Sequence, residues 1–286
     1  MNKTSNTMKK IISLVLMLIP VFAFAQTKLS CCSAPVTQEF AMLSNDKDFV
    51  KSHEEPLPLN FKSDLGKDIM IPATDGKEAH IYELKAAKPT SNYLFVIHEW
   101  WGLNDYIKRE SEKLYHDLGN VTVIAVDLYD KQIASTREDA AKYMNEVTDS
   151  RARAIINAAI KYAGPNAQIA TIGWCFGGGW SLQTSLLAGK QAAGCIMYYG
   201  MPEKDEAKLA TLHADVLGIF AKEDKWITPE VADEFATKMK AAGKKITVKI
   251  YEADHAFANP SNPKFNKAAT EDAYATSLTF LKDRLK

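Results

Sequence analysis

Residues 168–179 read Gln-Ile-Ala-Thr-Ile-Gly-Trp-Cys-Phe-Gly-Gly-Gly and lead into an apolar stretch over 180–187. A β-branched run, a nucleophile framed by glycines and then a helix form the pattern of a nucleophile elbow, with cysteine in the place of serine. Such a turn holds its nucleophile in a strained conformation and leaves room only for small neighbours, which is what the glycines supply. Cys175 would project from the turn at a helix N-terminus, where unpaired amides and the positive end of the dipole favour thiolate. The amide of Phe176, next after the nucleophile, is the expected donor to an oxyanion. The bland alternative, a buried apolar cysteine, suits Cys195 in Gly194-Cys195-Ile196-Met197 better.

A nucleophile on this turn needs an acid and then a histidine later in the chain. Both follow in that order. Lys222-Glu223-Asp224-Lys225 comes after an apolar run at 216–221, and Glu252-Ala253-Asp254-His255 after another at 247–251. His255 would accept the thiol proton, and Asp224 would fix its tautomer and stabilise the imidazolium, with Glu223 as the alternative acid. Asp254 reads as a turn residue. His80, His98, His116 and His213 occur without such a context. Other motifs fail: Gly179-Trp180 stands where a phosphate loop needs Lys-Ser/Thr, Leu182 replaces the last glycine of a dinucleotide fingerprint, and His98-Glu99 lacks a second zinc-binding histidine. No metal-ligand spacing is visible.

The elements that must position these residues alternate along the chain. Short apolar, β-branched runs at 79–84, 93–98, 121–127, 168–173, 195–199, 216–221 and 247–251 read as strands. Helices lie between them. Ser135 and Glu138 form a capping box; Thr228-Pro229 starts a helix whose Val231, Phe235 and Met239 share a face until Gly243 permits a left-handed stop. Tyr274, Leu278, Leu281 and Leu285 make a similar stripe on the last helix. The pattern predicts an α/β fold, a mostly parallel sheet with helices on both faces, over 66–286 as one domain. In such sheets ligands gather beyond the carboxyl ends of the strands, where Cys175, Asp224 and His255 all stand.

The first 65 residues differ. Lys9 and Lys10 precede an apolar run over 11–24 that closes on Ala23-Phe24-Ala25, the pattern of a signal peptide over 1–25; the run is too short for a membrane span and contains Pro20. Export to the periplasm or the medium follows, with no membrane attachment after cleavage. The alternative is a lipoprotein anchored at Cys31, although Lys28 stands where that signal usually has an apolar residue. Residues 26–65 read as a polar leader or linker, with His53-Glu54-Glu55-Pro56 and no sustained periodicity. Thiol redox chemistry at Cys31-Cys32 is disfavoured because adjacent cysteines lack the usual redox spacing. Across all 286 residues, 35 basic and 35 acidic side chains balance and form no basic run, which argues against a nucleic-acid partner. A hydrophobic share of 47% with 24% charged residues is ordinary for a globular chain and excludes a disordered one.

Five blocks in order resemble the dienelactone hydrolase family of the α/β-hydrolase fold: Val96-Ile97-His98-Glu99-Trp100-Trp101-Gly102-Leu103-Asn104, Asp127-Leu128-Tyr129, Gly173-Trp174-Cys175-Phe176-Gly177-Gly178, Asp224, and His255-Ala256-Phe257-Ala258-Asn259-Pro260. The resemblance implies a Cys175-His255-Asp224 triad that hydrolyses enol-lactones or related small esters through a thioester, with neither metal nor organic cofactor. It also implies that Glu99 faces the cysteine and controls its protonation, and that the Trp100 amide joins that of Phe176 in the oxyanion hole. A carboxylate beside a resting thiol favours the neutral form, so that role is physically sensible; the alternative for Glu99 is a structural carboxylate holding its loop. Trp100, Trp101, Tyr129, Phe176 and Phe257 would wall an apolar pocket, with Trp174 either joining them or packing beneath the elbow. Asn259 is a departure, because family members that cleave dienelactones carry there an arginine that grips the substrate carboxylate. An amide offers only neutral donors; Asn259-Pro260 could instead turn the loop, and Lys131 or Arg137 could supply the charge. The rival from another class is a non-catalytic ligand-binding protein on the same fold. N-terminal sequencing of the exported protein is expected to begin at Gln26; a lipid-modified Cys31 at the terminus would make it an anchored protein instead.

Overall fold

The computed structural model describes Met1 and residues 35–286. The expected signal peptide, its cleavage site and the alternative anchor at Cys31 lie outside the described residues. Eight strands form one sheet: β1 (Lys67–Pro72), β2 (Glu78–Leu84), β3 (Asn92–Ile97), β4 (Thr122–Val126), β5 (Gln168–Trp174), β6 (Ala192–Tyr198), β7 (Asp215–Ala221) and β8 (Ile246–Tyr251). Their order is β1-β2-β4-β3-β5-β6-β7-β8. Only the β1–β2 and β2–β4 pairs are antiparallel. The other five pairs are parallel, so β3, β5, β6, β7 and β8 all end on one rim. All of β4 and most of β3, β5, β6 and β7 are buried, which is why those segments read as continuous apolar runs.

Helices α1 (Val36–Ser44), α2 (Lys47–Ser52), α3 (Asp105–Leu118), α4 (Arg137–Glu146), α5 (Asp149–Ala163), α6 (Phe176–Ala188), α7 (Glu206–Leu209), α8 (Pro229–Ala241) and α9 (Lys267–Arg284) complete the described chain. Among the described residues no helix is long and apolar enough to cross a membrane. Helix starts follow local chemistry with one shift. Helix α4 is capped by Thr136, whose hydroxyl accepts from the Asp139 amide at 3.1 Å, one residue later than the Ser135 start expected. Pro229 takes the first position of α8, as expected, and Gly243 follows that helix at φ +71°. On α9 the buried face is Ala273, Ser277 and Leu281, the first two small enough to let the helix approach the sheet closely.

The polar leader expected over 26–65 is in its described part a folded piece of the domain. Helices α1 and α2 pack on α4, and α1 also touches α6. Phe40 and Phe49 are fully buried. Asp46 caps α2 by accepting from the amides of Asp48 and Phe49 at 2.8 and 3.1 Å. Lys204 bonds Glu39 at 2.7 Å, and the Arg137 guanidinium donates to the His53 carbonyl at 2.7 Å. Two aromatic anchors and a few polar ties hold the segment, and neither produces the periodicity by which a helix is read from sequence.

The passage from β5 into α6 is packed backbone against backbone. A Cβ on Gly177 would lie 2.3 Å from the Ile97 carbonyl oxygen and 2.4 Å from that of His98, both backbone atoms at the end of β3. A Cβ on Gly173 would lie 2.0 Å from the Gly177 oxygen. Neither obstacle can swing aside as a side chain could. Gly177→Ala is therefore expected to lower the unfolding free energy by about 3 kcal/mol or more, read by chemical denaturation; an alanine variant as stable as the parent would show that the helix can retreat from the sheet.

Candidate active site

Cys175 sits at the start of α6 with φ +52° and ψ −118°, a left-handed backbone that a non-glycine residue adopts only under constraint. Its amide donates to the Tyr198 carbonyl at 3.0 Å, and its own carbonyl accepts from Gly178 at 2.9 Å. Phe176 is the first residue of α6, a position whose amide has no acceptor within the helix. Cys195, by contrast, lies in the core on β6, 3.6 Å from the Ser181 hydroxyl, and burial pushes its thiol pKa up.

The loops after β7 and β8 bring the acid and the histidine to that turn. His255 Nδ1 lies 2.6 Å from Asp224 Oδ2, and His255 Nε2 lies 3.3 Å from Cys175 Sγ. Asp224 Oδ1 accepts from the amides of Trp226 and Ile227, each at 2.9 Å. Of the two candidate acids, Asp224 points inward and Glu223 is exposed. Burial would push the Asp224 carboxyl up, but the His255 charge and hydrogen bond and the two amides outweigh it and hold the pKa below the usual carboxylate range. Burial likewise pulls His255 down, and Asp224 followed by Cys175 outweighs it, holding the imidazole well above its usual value. Asp254 is a turn residue as expected, accepting from the His255 amide at 2.7 Å and pairing with Lys264 at 2.6 Å.

The loop after β3 carries Glu99 and Trp100 and is tied down by His98. Its Nδ1–H donates to the Glu99 carbonyl at 2.6 Å, while Nε2 accepts from the Leu128 amide at 3.0 Å. Those two bonds require the neutral tautomer, and complete burial favours it. Glu99 is buried and its Oε1 accepts from Asn259 Nδ2 at 2.6 Å. Burial pushes the Glu99 carboxyl up to about 7, against the opposing pull of Asn259 and His255. Asn259 thus holds the acid. Its own oxygen accepts from the amide and hydroxyl of Ser261, both at 2.8 Å.

A cavity of about 360 Å³ opens beside this cluster, lined among others by Glu99, Trp174, Tyr198, Tyr199, Asn259 and Phe265. Trp101, Tyr129 and Phe257, expected as pocket walls, do not line it. The Tyr129 ring packs on His98 and Phe176, Trp101 packs on Trp100, and Phe257 lies between Tyr199 and Tyr251. These large side chains fill the core under the loops and support the rim from below. Arg137 is engaged by the His53 carbonyl, and Lys131 lines a different cavity with His80 and Arg151. Residues without a role in the sequence reading, Tyr199 and His53 among them, stand against His255. The Tyr199 ring lies 5.1 Å from that of His255, and His53 from the end of α2 lies 5.4 Å from it and 4.4 Å from Trp100. His53 stands in a segment that read as leader, so only its residue type offered a signal.

The sheet order, the strand-to-helix turn and the three converging loops define an α/β-hydrolase fold. Residues 79–285 match the family model described as the dienelactone hydrolase family. The chain belongs to that family and is a hydrolase. It is 24% identical over 232 residues to carboxymethylenebutenolidase 1 of Cupriavidus pinatubonensis, covering 76% of this chain and 97% of that one. It is also 24% identical over 206 residues to a protein named usf of Aquifex pyrophilus, covering 67% and 88%. Among solved structures, a dienelactone hydrolase-like promiscuous phosphotriesterase from metagenomic libraries superposes with a TM-score of 0.65 at 18% identity, covering 78% of this chain and 100% of that one.

The burial of Glu99 has a thermodynamic consequence with a definite sign. Its folded value of about 7 lies above its ordinary 4.5, so the folded protein holds a proton that the unfolded chain releases between those values. The stability that Glu99 contributes is then fully present below pH 4.5 and is lost as pH rises to about 7. Glu99→Gln removes the titration. The unfolding free energy of the variant minus that of the parent is expected to grow by about 3 kcal/mol across this window. A pH-independent difference would mean that Glu99 is ionised throughout.

Proposed function

We propose that the protein hydrolyses small carboxylic esters or lactones by covalent catalysis at Cys175. The observation that carries this reading is the unbroken chain of contacts from Asp224 through His255 to the Cys175 sulfur, at 2.6 and 3.3 Å. His255 takes the thiol proton, the sulfur attacks the acyl carbon, and the developing oxyanion accepts hydrogen bonds from the amides of Phe176 and Trp100. His255 then protonates the departing alkoxide or enolate, leaving an acyl thioester on Cys175. Water enters, His255 removes its proton, and attack on the thioester releases the acid and restores the thiol. Asp224, fixed by two amides, keeps the imidazole in register through both halves. Glu99 serves as the acid that controls the resting thiol, held in place by Asn259.

The substrate class follows from the family and from relatives named carboxymethylenebutenolidase. The acid-gripping amide at Asn259 leaves that position without a cation for a substrate carboxylate; the cations that line the cavity are Arg109, Lys113 and Lys267. A cavity bounded by Trp174, Tyr198, Tyr199 and Phe265 suits a planar apolar body. Residues 1–25, with Lys9 and Lys10 directly before an apolar run, support work outside the cytoplasm.

Cys175→Ala is expected to keep the fold and lose at least about a thousandfold in kcat/KM on an activated ester, with His255→Ala similar and the double variant little worse, because the members act as a unit. Mass spectrometry of the parent after a short exposure should find the acyl group on Cys175. An alanine variant that still turns over would overturn the covalent route.

A further inference from the structure

His53 lies outside the region matched by the family model, 79–285, yet its side chain reaches the triad. Its Nδ1 is 2.8 Å from the Phe49 carbonyl oxygen, so Nδ1 carries the proton and donates. That leaves the lone pair on Nε2. This nitrogen is buried without a hydrogen-bond partner among the described residues, in a side chain only 4% exposed. A buried nitrogen left in that state is unfavourable, and a ligand would relieve it. His255 repeats the arrangement, with Nδ1 held by Asp224 and Nε2 turned to the Cys175 sulfur at 3.3 Å. One donor atom from each of His53, Cys175 and His255 lies within 4.8 Å of the other two.

Two imidazoles and a thiol form a borderline-soft donor set, matched to zinc and its chemical neighbours rather than to calcium or magnesium. The contacts behind them fit as well: a carboxylate holds one imidazole and a backbone carbonyl the other, which fixes tautomer and ring orientation as in zinc sites generally. The geometry points to a binding site for one thiophilic divalent cation, zinc in kind, on His53 Nε2, Cys175 Sγ and His255 Nε2, with the fourth position open to water. Zn–N of about 2.0 Å and Zn–S of about 2.3 Å put tetrahedral donor atoms roughly 3.3–3.8 Å apart. The His255–Cys175 separation already meets that, and the wider separations within the 4.8 Å cluster close by a movement of roughly 1 Å. Binding releases one proton from the Cys175–His255 pair, since the sulfur must be thiolate and the imidazole neutral. The bound cation occupies the sulfur and nitrogen lone pairs that hydrolysis needs, so the loaded protein is switched off. That last consequence rests on the proposed function; the site itself does not.

The test uses the full chain carrying Cys31→Ser and Cys32→Ser, so that the remaining thiols are Cys175 and the buried Cys195. Titration with Co²⁺ should saturate at one equivalent with a thiolate-to-cobalt charge-transfer band and tetrahedral ligand-field bands, and one equivalent of Zn²⁺ should bleach them. Zinc should also stop hydrolysis of an activated ester until a chelator restores it. His53→Gln should bind either metal at least about a hundredfold more weakly while its metal-free hydrolysis stays within about threefold of the parent. His53→Phe, which fills the same space beside Trp100, provides the comparison if the glutamine variant does not fold. Cobalt bound without a charge-transfer band, or a folded His53 variant that binds as tightly as the parent, overturns the site. A cobalt spectrum as described in a parent that hydrolyses no ester supports the site and overturns the hydrolytic reading instead.

Discussion

The left-handed turn at Cys175 is the constraint around which the rest of the molecule is arranged. A non-glycine residue at φ +52° is strained by about 1–3 kcal/mol, and it persists only where its surroundings leave no alternative. Here the surroundings are backbone. The Cys175 amide is bound to the Tyr198 carbonyl on β6, and Gly177 sits against the Ile97 and His98 carbonyls at the end of β3. Moving the sulfur would require moving the start of α6 away from two central strands, all of them buried. Rigidity at one atom is thus provided by burial over the whole sheet.

Parallel strands convert that local constraint into a site. Because β5, β7 and β8 run the same way, the loops that follow them open on one rim, and residues distant in sequence meet there. The charges they carry are buried, which would be costly without partners. Each has them. Asp224 has two amides and His255, Glu99 has Asn259, and His98 is neutral with both nitrogens engaged. Fixed dipoles of this kind need no rearrangement when charge moves during a reaction.

The N-terminal helices add a layer that the strand-and-helix frame does not require. Phe40 meets Phe176 edge-on at 5.5 Å, and Phe49 packs on Trp100, Trp226 and His255. With His53 beside them, these rings cover Cys175, which is 1% exposed.

The alternating strands and helices, the glycine-framed turn and the order of acid and histidine were all legible, because each depends on residues a few positions apart; the start expected at 66 was not, since α1 and α2 already pack into the domain. Periodicity, glycine requirement and turn chemistry are local. Strand β1 escaped notice because it is an edge strand with largely exposed side chains, and its apolar run, Ile69-Met70-Ile71, is short and bounded by charged residues and Pro72. What tertiary structure alone decided is which side chains face one another across long separations. Asp224 faces inward where Glu223 does not; Asn259 turns to Glu99; Trp101, Tyr129 and Phe257 support the rim from within the core; His53 arrives from a segment with no pattern of its own. Such contacts carry no sequence periodicity, since they are set by where loops end after the sheet has closed, and a buried polar atom is satisfied or left open only then.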